Sequence, residues 1–132
     1  PQAKNHVLGH HCRKCVADNK RQLFHRVPLR KKIRISNSYK NWRKFIFERD
    51  NYKCVLCDKS GKLHADHIKP FSIIMDEYKI DTLEKALDCQ ELWDVNNGRT
   101  LCIKCHKNTD TYGSSCKKNY KLNLEQCQLK LT

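Results

Sequence analysis

Short runs of apolar residues predict a chain built from brief helices and strands. Isoleucines alternate with polar residues over 32–36, which is typical of a short strand. Four residues of 38–49, three of them aromatic or aliphatic, fall on one helical face, and the polar residues 36–38 can cap a helix, so this stretch predicts one. That face consists of Trp42, Phe45, Ile46 and Arg49. We expect Trp42 to enter the core and the basic residues at 40, 43 and 44 to face solvent.

The second half of the chain predicts two strands that enclose an insertion. Strands are expected over residues 62–67 and 99–101, with a tight turn at 96–98. Within the insertion, residues 71–95, Asp81 and Thr82 can cap a helix that ends near Cys89. A further helix should run from Cys102 to about Asp110. Residues 1–20 and 114–132 lack periodicity, so we expect a loop or small knuckle at the start and a polar tail at the end.

Positive charge is concentrated at the start of the chain. The 132 residues carry a formal net charge of +13, of which +12 falls on residues 1–49. A charge run is often only a solvated face. Here the remainder is nearly neutral, which favours a polyanionic partner, because each neutralised phosphate releases a counterion. We therefore expect nucleic acid rather than an acidic membrane as the partner, with the acidic insertion facing away from the phosphates.

The chain has few apolar residues with which to build a large core. Hydrophobic residues make up 39% and the mean hydropathy is -0.82, so additional support is expected. Nine cysteines are an odd number, which argues against a complete disulfide framework. Three Cys-x-x-Cys pairs begin at Cys12, Cys54 and Cys102. This spacing points to metal binding.

Two of the pairs predict a structural zinc site. Thiolates two residues apart can reach one zinc from a tight turn, and two such pairs complete a tetrahedral shell with no open position. The expected ligands are Cys54, Cys57, Cys102 and Cys105. Cys12 and Cys15 could form half of a second site, with partners upstream or with His6, His10, His11 or His25. No function is assigned to Cys89, Cys116 or Cys127, which have no partner at metal-binding spacing.

Two polar motifs flank the zinc cysteines. They read Leu-His-Ala-Asp-His-Ile-Lys-Pro at 63–70 and Asn-Gly-Arg-Thr-Leu-Cys-Ile-Lys-Cys-His at 97–106. Together they resemble the HNH nuclease family over about residues 40–113, and in particular its zinc-supported members from bacteriophages. The resemblance implies an α+β fold with a small ββα-metal (His-Me finger) nuclease core stapled by the four-cysteine zinc site. It divides the chain into a basic N-terminal extension (residues 1–37), a nuclease domain (38–113) and a polar C-terminal tail (114–132).

The resemblance also implies the roles of the catalytic residues. His67 becomes the general base, Asn97 the central asparagine, and Asp66 and His106 ligands of the catalytic metal, with Asn96 the rival of Asn97 by one position. A neutral imidazole can take a proton from water, and carboxylate and imidazole ligands suit a divalent cation. Because residues 66 and 67 point to opposite sides of an ideal strand, we expect a distorted strand end there.

Several other residues are expected near the site. Asp110 lies one helical turn after His106, where it can reach the same ion. Its harder oxygen would favour Mg or Mn over a second zinc, and a solvated or turn-forming role is the alternative. His64 is expected to be a surface residue. Basic residues expected to bind nucleic acid are Arg99, Lys69, Arg43 and Lys44.

These residues predict a metal-dependent HNH endonuclease that hydrolyses DNA phosphodiester bonds. A monomer or weak homodimer would nick one strand or cut both. The alternatives are a zinc-dependent nucleic-acid-binding protein that keeps the fold without catalysis and, third, a module directed to RNA. No apolar run is long enough to cross a bilayer. We expect a cytoplasmic protein without a membrane partner, in the host cytoplasm if its source is a bacteriophage.

Overall fold

The computed structural model describes residues 13–114 and 116–129, which form an α+β fold. Three helices, α1 (Arg13–Arg26), α2 (Leu29–Ile35) and α3 (Asn37–Arg49), precede strand β1 (Leu63–His67). Helices α4 (Phe71–Glu77) and α5 (Leu83–Asp88) and two 3-10 turns (Gln90–Trp93 and Val95–Asn97) lead to strand β2 (Gly98–Cys102). Helices α6 (Ile103–Lys107) and α7 (Cys116–Leu129) follow.

The two strands pair antiparallel, and their positions confirm both predicted strands. Leu63 lies opposite Cys102 and His67 opposite Gly98, and α6 begins directly after β2. The register stays regular as far as His67, and just beyond it the Ile68 amide donates to the Asn97 carbonyl at 2.8 Å. The expectation of a distorted strand end was therefore wrong.

Residues 32–36 were predicted as a strand, but residues 32–35 lie in helix α2 and Ser36 follows it. Pro28 precedes α2, where its missing N–H costs no helical hydrogen bond. Ile33 is fully buried and Leu29, four residues earlier, packs against the same cluster. Ser36 ends α2 by donating to the Ile33 carbonyl at 2.6 Å, and it caps α3 by accepting from the Tyr39 amide at 3.2 Å. The four-residue spacing of Leu29 and Ile33 therefore determines the structure of this segment, and the alternation over residues 32–36 does not.

Helix α3 confirms the prediction for residues 38–49. Trp42 and Ile46 are buried, and the basic residues at 40, 43 and 44 are exposed. Phe45 was expected on the buried face but is 58% exposed. It lies about 100° around the helix from Ile46, and this rotation carries it out of the contact with β2. The contact is close, because Gly98 at the start of β2 is buried against Ile46 and Trp42.

The insertion contributes a large part of the core. Its predicted helix is present as α5, with the Thr82 hydroxyl accepting from the Lys85 amide, whereas α4 was not predicted. One cluster of buried residues joins α2 to the insertion and consists of Ile33, Ile74, Met75, Ile80, Ala86, Cys89 and Leu92. A second cluster joins β1, β2 and the segment between α3 and β1, and it consists of Cys54, Leu63 and Leu101.

The two ends of the described chain differ from their predictions. Residues 13–20 belong to α1 and residues 116–129 form α7, where a loop or knuckle and an unpatterned tail were expected. No residue of α7 is buried, which explains the lack of apolar periodicity there. Helix α6 ends at Lys107, earlier than expected. Within the described residues, no helix is long and apolar enough to cross a membrane.

Candidate functional site

The four central cysteines form a cluster that could hold a structural metal such as zinc. The Sγ atoms of Cys54, Cys57, Cys102 and Cys105 all lie within 4.8 Å of one another. Zinc–sulfur bonds of about 2.3 Å in a tetrahedron place sulfurs roughly 3.8 Å apart, and the Sγ atoms of Cys57 and Cys102 are 3.6 Å apart. The thiols therefore fit a tetrahedral zinc ion, and the predicted ligand set comes together as expected.

Backbone hydrogen bonds shape the two turns that carry these cysteines. The Cys54 amide donates to the Lys59 carbonyl at 2.9 Å, the Asp58 amide donates to the Cys54 carbonyl at 2.8 Å, and the Val55 amide donates to the Thr100 carbonyl at 3.0 Å. The last bond ties the first turn to β2. Cys102 caps α6, since its sulfur accepts from the Cys105 amide.

The surroundings of Cys54 favour its deprotonated form, the thiolate. Burial acts to raise the pKa of Cys54, but the N–H groups of Cys102, Leu56 and Cys57 outweigh it and lower this pKa to about 6. The neighbouring sulfurs of Cys102 and Cys57 raise the pKa of Cys105 to about 12. A bound dication would compensate this mutual repulsion. Cys12 and the side chain of Cys15 lie outside the described residues, so the second zinc site stays a prediction.

A cavity of about 670 Å³ brings together His67, Asp66 and His106. Successive residues 64–67 of β1 line it, so the cavity borders the edge of the strand rather than one of its faces. This explains how Asp66 and His67, which point to opposite sides of a regular strand, reach the same space.

His67 is held in a defined orientation. It is 7% exposed and stacks on Trp42, with ring centroids 4.0 Å apart and planes 14° apart. Its Nε2 lies 3.0 Å from the Leu92 carbonyl oxygen. A carbonyl can only accept, so Nε2 carries the hydrogen and Nδ1 of the neutral ring is left as the acceptor. Burial lowers the pKa of His67, which keeps the ring neutral at physiological pH.

Asp66 and His106 face each other beside His67. Asp66 is 8% exposed, and its Oδ1 lies 3.6 Å from Nε2 of His106. Two ligand atoms on an octahedral cation, each about 2.1 Å from it, are roughly 3 Å apart, so a small adjustment would let both bind one ion. Burial lowers the pKa of His106, so its ring is available as a neutral ligand.

His64 contacts His106 through a ring nitrogen. Nδ1 of His64 lies 2.9 Å from Nδ1 of His106, so one of the two rings donates to the other. If His106 binds a cation through Nε2, its Nδ1 carries the hydrogen and His64 accepts it, an arrangement that orients a metal-binding histidine. His64 is exposed, which confirms the expectation of a surface residue. The signal for its contact with His106 is its place two residues before Asp66 on the same strand face.

The structure does not bring Asp110 to the site. Asp110 is exposed and its Oδ2 accepts a hydrogen bond from Asn123 of α7 at 3.2 Å. The expectation assumed that α6 continues a full turn beyond His106, but α6 ends at Lys107. The Thr109 hydroxyl then donates to the His106 carbonyl, and residues 111–113 line the cavity whereas Asp110 does not. The metal-ligand role of Asp110 is therefore not supported by its position.

Asn97 bridges the end of β1. Its Oδ1 accepts from the Lys69 amide at 2.7 Å, and its Nδ2 donates to the Lys69 carbonyl at 3.3 Å. Asn96 is exposed, and its amide is bound by the Asp94 side chain. Of the two candidates, Asn97 is thus the residue that fixes the chain next to His67.

Two basic residues predicted to bind nucleic acid are already paired with carboxylates. Arg99 Nε donates to Asp66 Oδ2 at 2.9 Å. Lys69 Nζ lies 2.5 Å from Glu77 and 2.7 Å from Glu91, and despite burial these carboxylates raise the pKa of Lys69. Both cations are therefore engaged within the protein.

The other two basic residues predicted to bind nucleic acid differ from each other. Arg43 lines the cavity, whereas Lys44 is exposed and lies 3.7 Å from Glu48 on α3. Two further arginines of the cavity, Arg30 and Arg34, were not singled out from the sequence. A helix over residues 29–35 would have placed them on one face.

Comparison of the chain with models of protein families, with curated proteins and with solved structures found no match.

Proposed function

We propose that this protein is an HNH-type endonuclease that hydrolyses DNA phosphodiester bonds with a divalent cation, and that His67 is its general base. The observation that carries the proposal is the orientation of His67. Its Nε2 is bound to the Leu92 carbonyl, and its ring lines the cavity that also contains Asp66 and His106. A neutral imidazole with one free acceptor nitrogen is the group that phosphodiester hydrolysis needs to deprotonate water.

The residues around the base supply the other parts of the reaction. Asp66 and His106 would hold a divalent cation such as Mg or Mn, and this ion would stabilise negative charge on the phosphate and the leaving oxygen. Asn97 holds the chain at Lys69, two residues after the base. Arg99 orients Asp66 through the contact between Nε and Oδ2. His64 orients His106.

The four cysteines would have a structural role in this enzyme. A closed four-thiolate shell leaves no position for water or substrate. Zinc there would fix the turn before β1 against the start of α6, which carries His106. The two strands, this helix and the divalent cation at Asp66 and His106 would then correspond to the ββα-metal core of the family, with the zinc as its structural support.

Plasmid nicking with Mg or Mn tests the proposal. Zinc-loaded protein should convert supercoiled DNA to nicked DNA, and His67→Ala should lower the rate by about 100-fold or more. His25→Ala is the matched control, because His25 is exposed on α1 and does not line the cavity. Cleavage by His67→Ala at the wild-type rate would rule out this base.

A second candidate is a zinc-dependent nucleic-acid-binding protein that does not cleave. The observation that favours it is the ion pair between Arg99 and Asp66, which occupies one oxygen of the expected metal ligand. This candidate predicts DNA binding with no nicking in any divalent metal. Parallel assays on an RNA duplex and on DNA distinguish the DNA enzyme from a module directed to RNA.

A further inference from the structure

Three arginines line the cavity beside the candidate catalytic residues. Arg30 and Arg34 lie one turn apart on α2, and Arg43 comes from α3. All three are exposed. Since residues four apart share one helical face, α2 presents two guanidinium groups to the same opening.

No carboxylate forms an ion pair with any of these arginines in the part of the chain that the structure describes. Arg34 contacts the ring of Phe71, with 5.9 Å from guanidinium carbon to ring centroid, and Arg43 lies 4.7 Å from the ring of Phe47. The charge of Arg30 influences Asp76, but the Asp76 carboxylate forms its ion pair with Lys117.

These arginines therefore differ from the two cations that the protein neutralises itself. Arg99 is held by Asp66, and Lys69 by two glutamates. The positive charge that remains available at the cavity comes from α2 and α3. Aromatic contacts hold the Arg34 and Arg43 guanidinium groups without cancelling their charge.

Arg34 and His67 both contact the ring of Phe71. The guanidinium carbon of Arg34 lies 5.9 Å and the imidazole centroid of His67 lies 5.7 Å from the Phe71 centroid. Arg34 therefore lines the cavity on the side of the proposed base. A bound phosphate there would meet a cation that no carboxylate of the described chain has paired.

We infer that Arg30, Arg34 and Arg43 form a wall that binds backbone phosphates of the DNA strand entering the cavity. The inference rests on the proposed function in that it takes DNA as the ligand. Arg34 would contact the phosphate nearest to His67, and Arg30 a neighbouring phosphate of the same strand. A planar guanidinium can bind two phosphate oxygens at once. Such contacts position the strand without reading its sequence.

The test measures binding of a short DNA duplex to zinc-loaded, full-length protein without added divalent cation, at several salt concentrations. The variant Arg30→Gln/Arg34→Gln is compared with Arg26→Gln/Lys31→Gln, which removes the same charge from exposed neighbouring residues outside the cavity. We expect the cavity variant to bind roughly 100-fold more weakly at physiological salt, because each arginine removed takes away a charge-assisted hydrogen bond to phosphate that strengthens binding about tenfold. Its plot of log affinity against log salt should be shallower by about 2.

The control variant should bind less than about threefold more weakly than the wild type, because it removes long-range attraction only. Equal reductions in affinity in the two variants would overturn the wall, since charge alone would then explain binding. Zinc content and thermal melting confirm that both variants are folded. The single variant Arg43→Gln should also bind more weakly, and an unchanged affinity would remove Arg43 from the wall.

Competition separates a DNA site from a site for free phosphate. Inorganic phosphate at the ionic strength of a matched chloride control should displace the duplex no better than chloride does. Displacement by phosphate alone that disappears in Arg30→Gln/Arg34→Gln would assign a free-phosphate site and overturn the inference. If the duplex binds through these arginines but is never nicked, the inference stands and the proposed function fails. If the duplex is nicked and neither binding nor nicking depends on the arginines, the proposed function stands and the inference fails.

Discussion

Gly98 lies where β2 begins, directly against the buried face of α3. A Cβ at this position would fall 2.0 Å from Cδ1 of Ile46 and 2.9 Å from Cζ2 of Trp42. Both neighbours are buried, so neither can move away freely. We expect Gly98→Ala to lower the free energy of unfolding by about 1–3 kcal/mol, the usual cost of overpacking a core. Urea denaturation measures the change.

A second substitution shows whether the contact with Ile46 causes the destabilisation by Gly98→Ala. Ile46→Val removes Cδ1, the nearest atom. The double variant Gly98→Ala/Ile46→Val should therefore be more stable than the sum of the two single effects predicts. Strict additivity would contradict this explanation. The result matters for the site, since Trp42 also supports the His67 ring.

His67 should make stability depend on pH. Burial lowers the pKa of His67 in the folded protein, so the unfolded chain binds more protons once the pH falls below about 6.5. Stability from this group is complete above that pH and is lost as the pH falls. Between pH of about 7.5 and 5.5 we expect a decrease of at most about 1.4 kcal/mol from His67.

The variant His67→Gln isolates this contribution, because its amide can still donate to the Leu92 carbonyl but does not titrate in this range. His106, whose pKa burial also lowers, and the cysteines titrate in both proteins. Urea unfolding at the two pH values should show the stability advantage of the wild type shrinking as the pH falls. An advantage that is constant or grows in acid would mean that His67 is not buried in its neutral form.

The two turns that carry the four-cysteine cluster connect three elements and should determine their stability together. Cys54 and Cys57 precede β1, whereas Cys102 and Cys105 join β2 to α6. We expect Cys105→Ala to reduce bound zinc from about one ion per chain to none and to lower the melting temperature strongly, because zinc binding is coupled to folding. Elemental analysis and thermal melting measure the two effects.

Cys127→Ala is the control for removal of a thiol. Cys127 is exposed on α7 and lies outside the four-cysteine cluster. This variant should keep both zinc and melting temperature. Full zinc content in Cys105→Ala would contradict the assignment of the site.

The predictability of each element depends on how local its determinants are. The caps, the Trp42–Ile46 spacing and the Cys-x-x-Cys turns are local, and the sequence predicted α3, both strands and the cysteine cluster. Helix α2 was missed because the alternation over residues 32–36 favours a strand, whereas the helical spacing involves only two residues, Leu29 and Ile33. That spacing becomes decisive only when the insertion covers Ile33.

The same distinction applies to the candidate site. Asp66, His67, Asn97 and His106 were predicted from their motifs, and the described fold places them around one end of β1. Asp110 does not line the cavity, because its place depends on the length of α6, which Asn108 and Thr109 end through hydrogen bonds to the last turn. The pairing of Arg99 and Lys69 with carboxylates, and the approach of Arg34, depend on contacts between distant segments, and no local pattern indicates them.

At the scale of the whole molecule, the basic N-terminal third contributes both charge and core. Every side chain of α1 that the structure describes is exposed, whereas Ile33 of α2 is fully buried in the cluster shared with the insertion. The predicted boundary at residue 37 therefore has a core residue on its N-terminal side. Binding and stability should respond differently to two deletions in this region.

Removing residues 1–27 takes away six basic and one acidic side chain but keeps α2. We expect DNA affinity to fall and its salt dependence to become shallower, while the melting temperature changes little.

Removing residues 1–35 also deletes Ile33, which should cost a further 2–5 kcal/mol or so, as for the truncation of a large buried side chain. Full-length Ile33→Ala serves as the control, since it should reproduce most of that destabilisation with all charges in place. Equal melting temperatures for the two deletions would show that α2 does not support the core, and unchanged affinity in the shorter deletion would show that α1 and the preceding residues do not bind DNA.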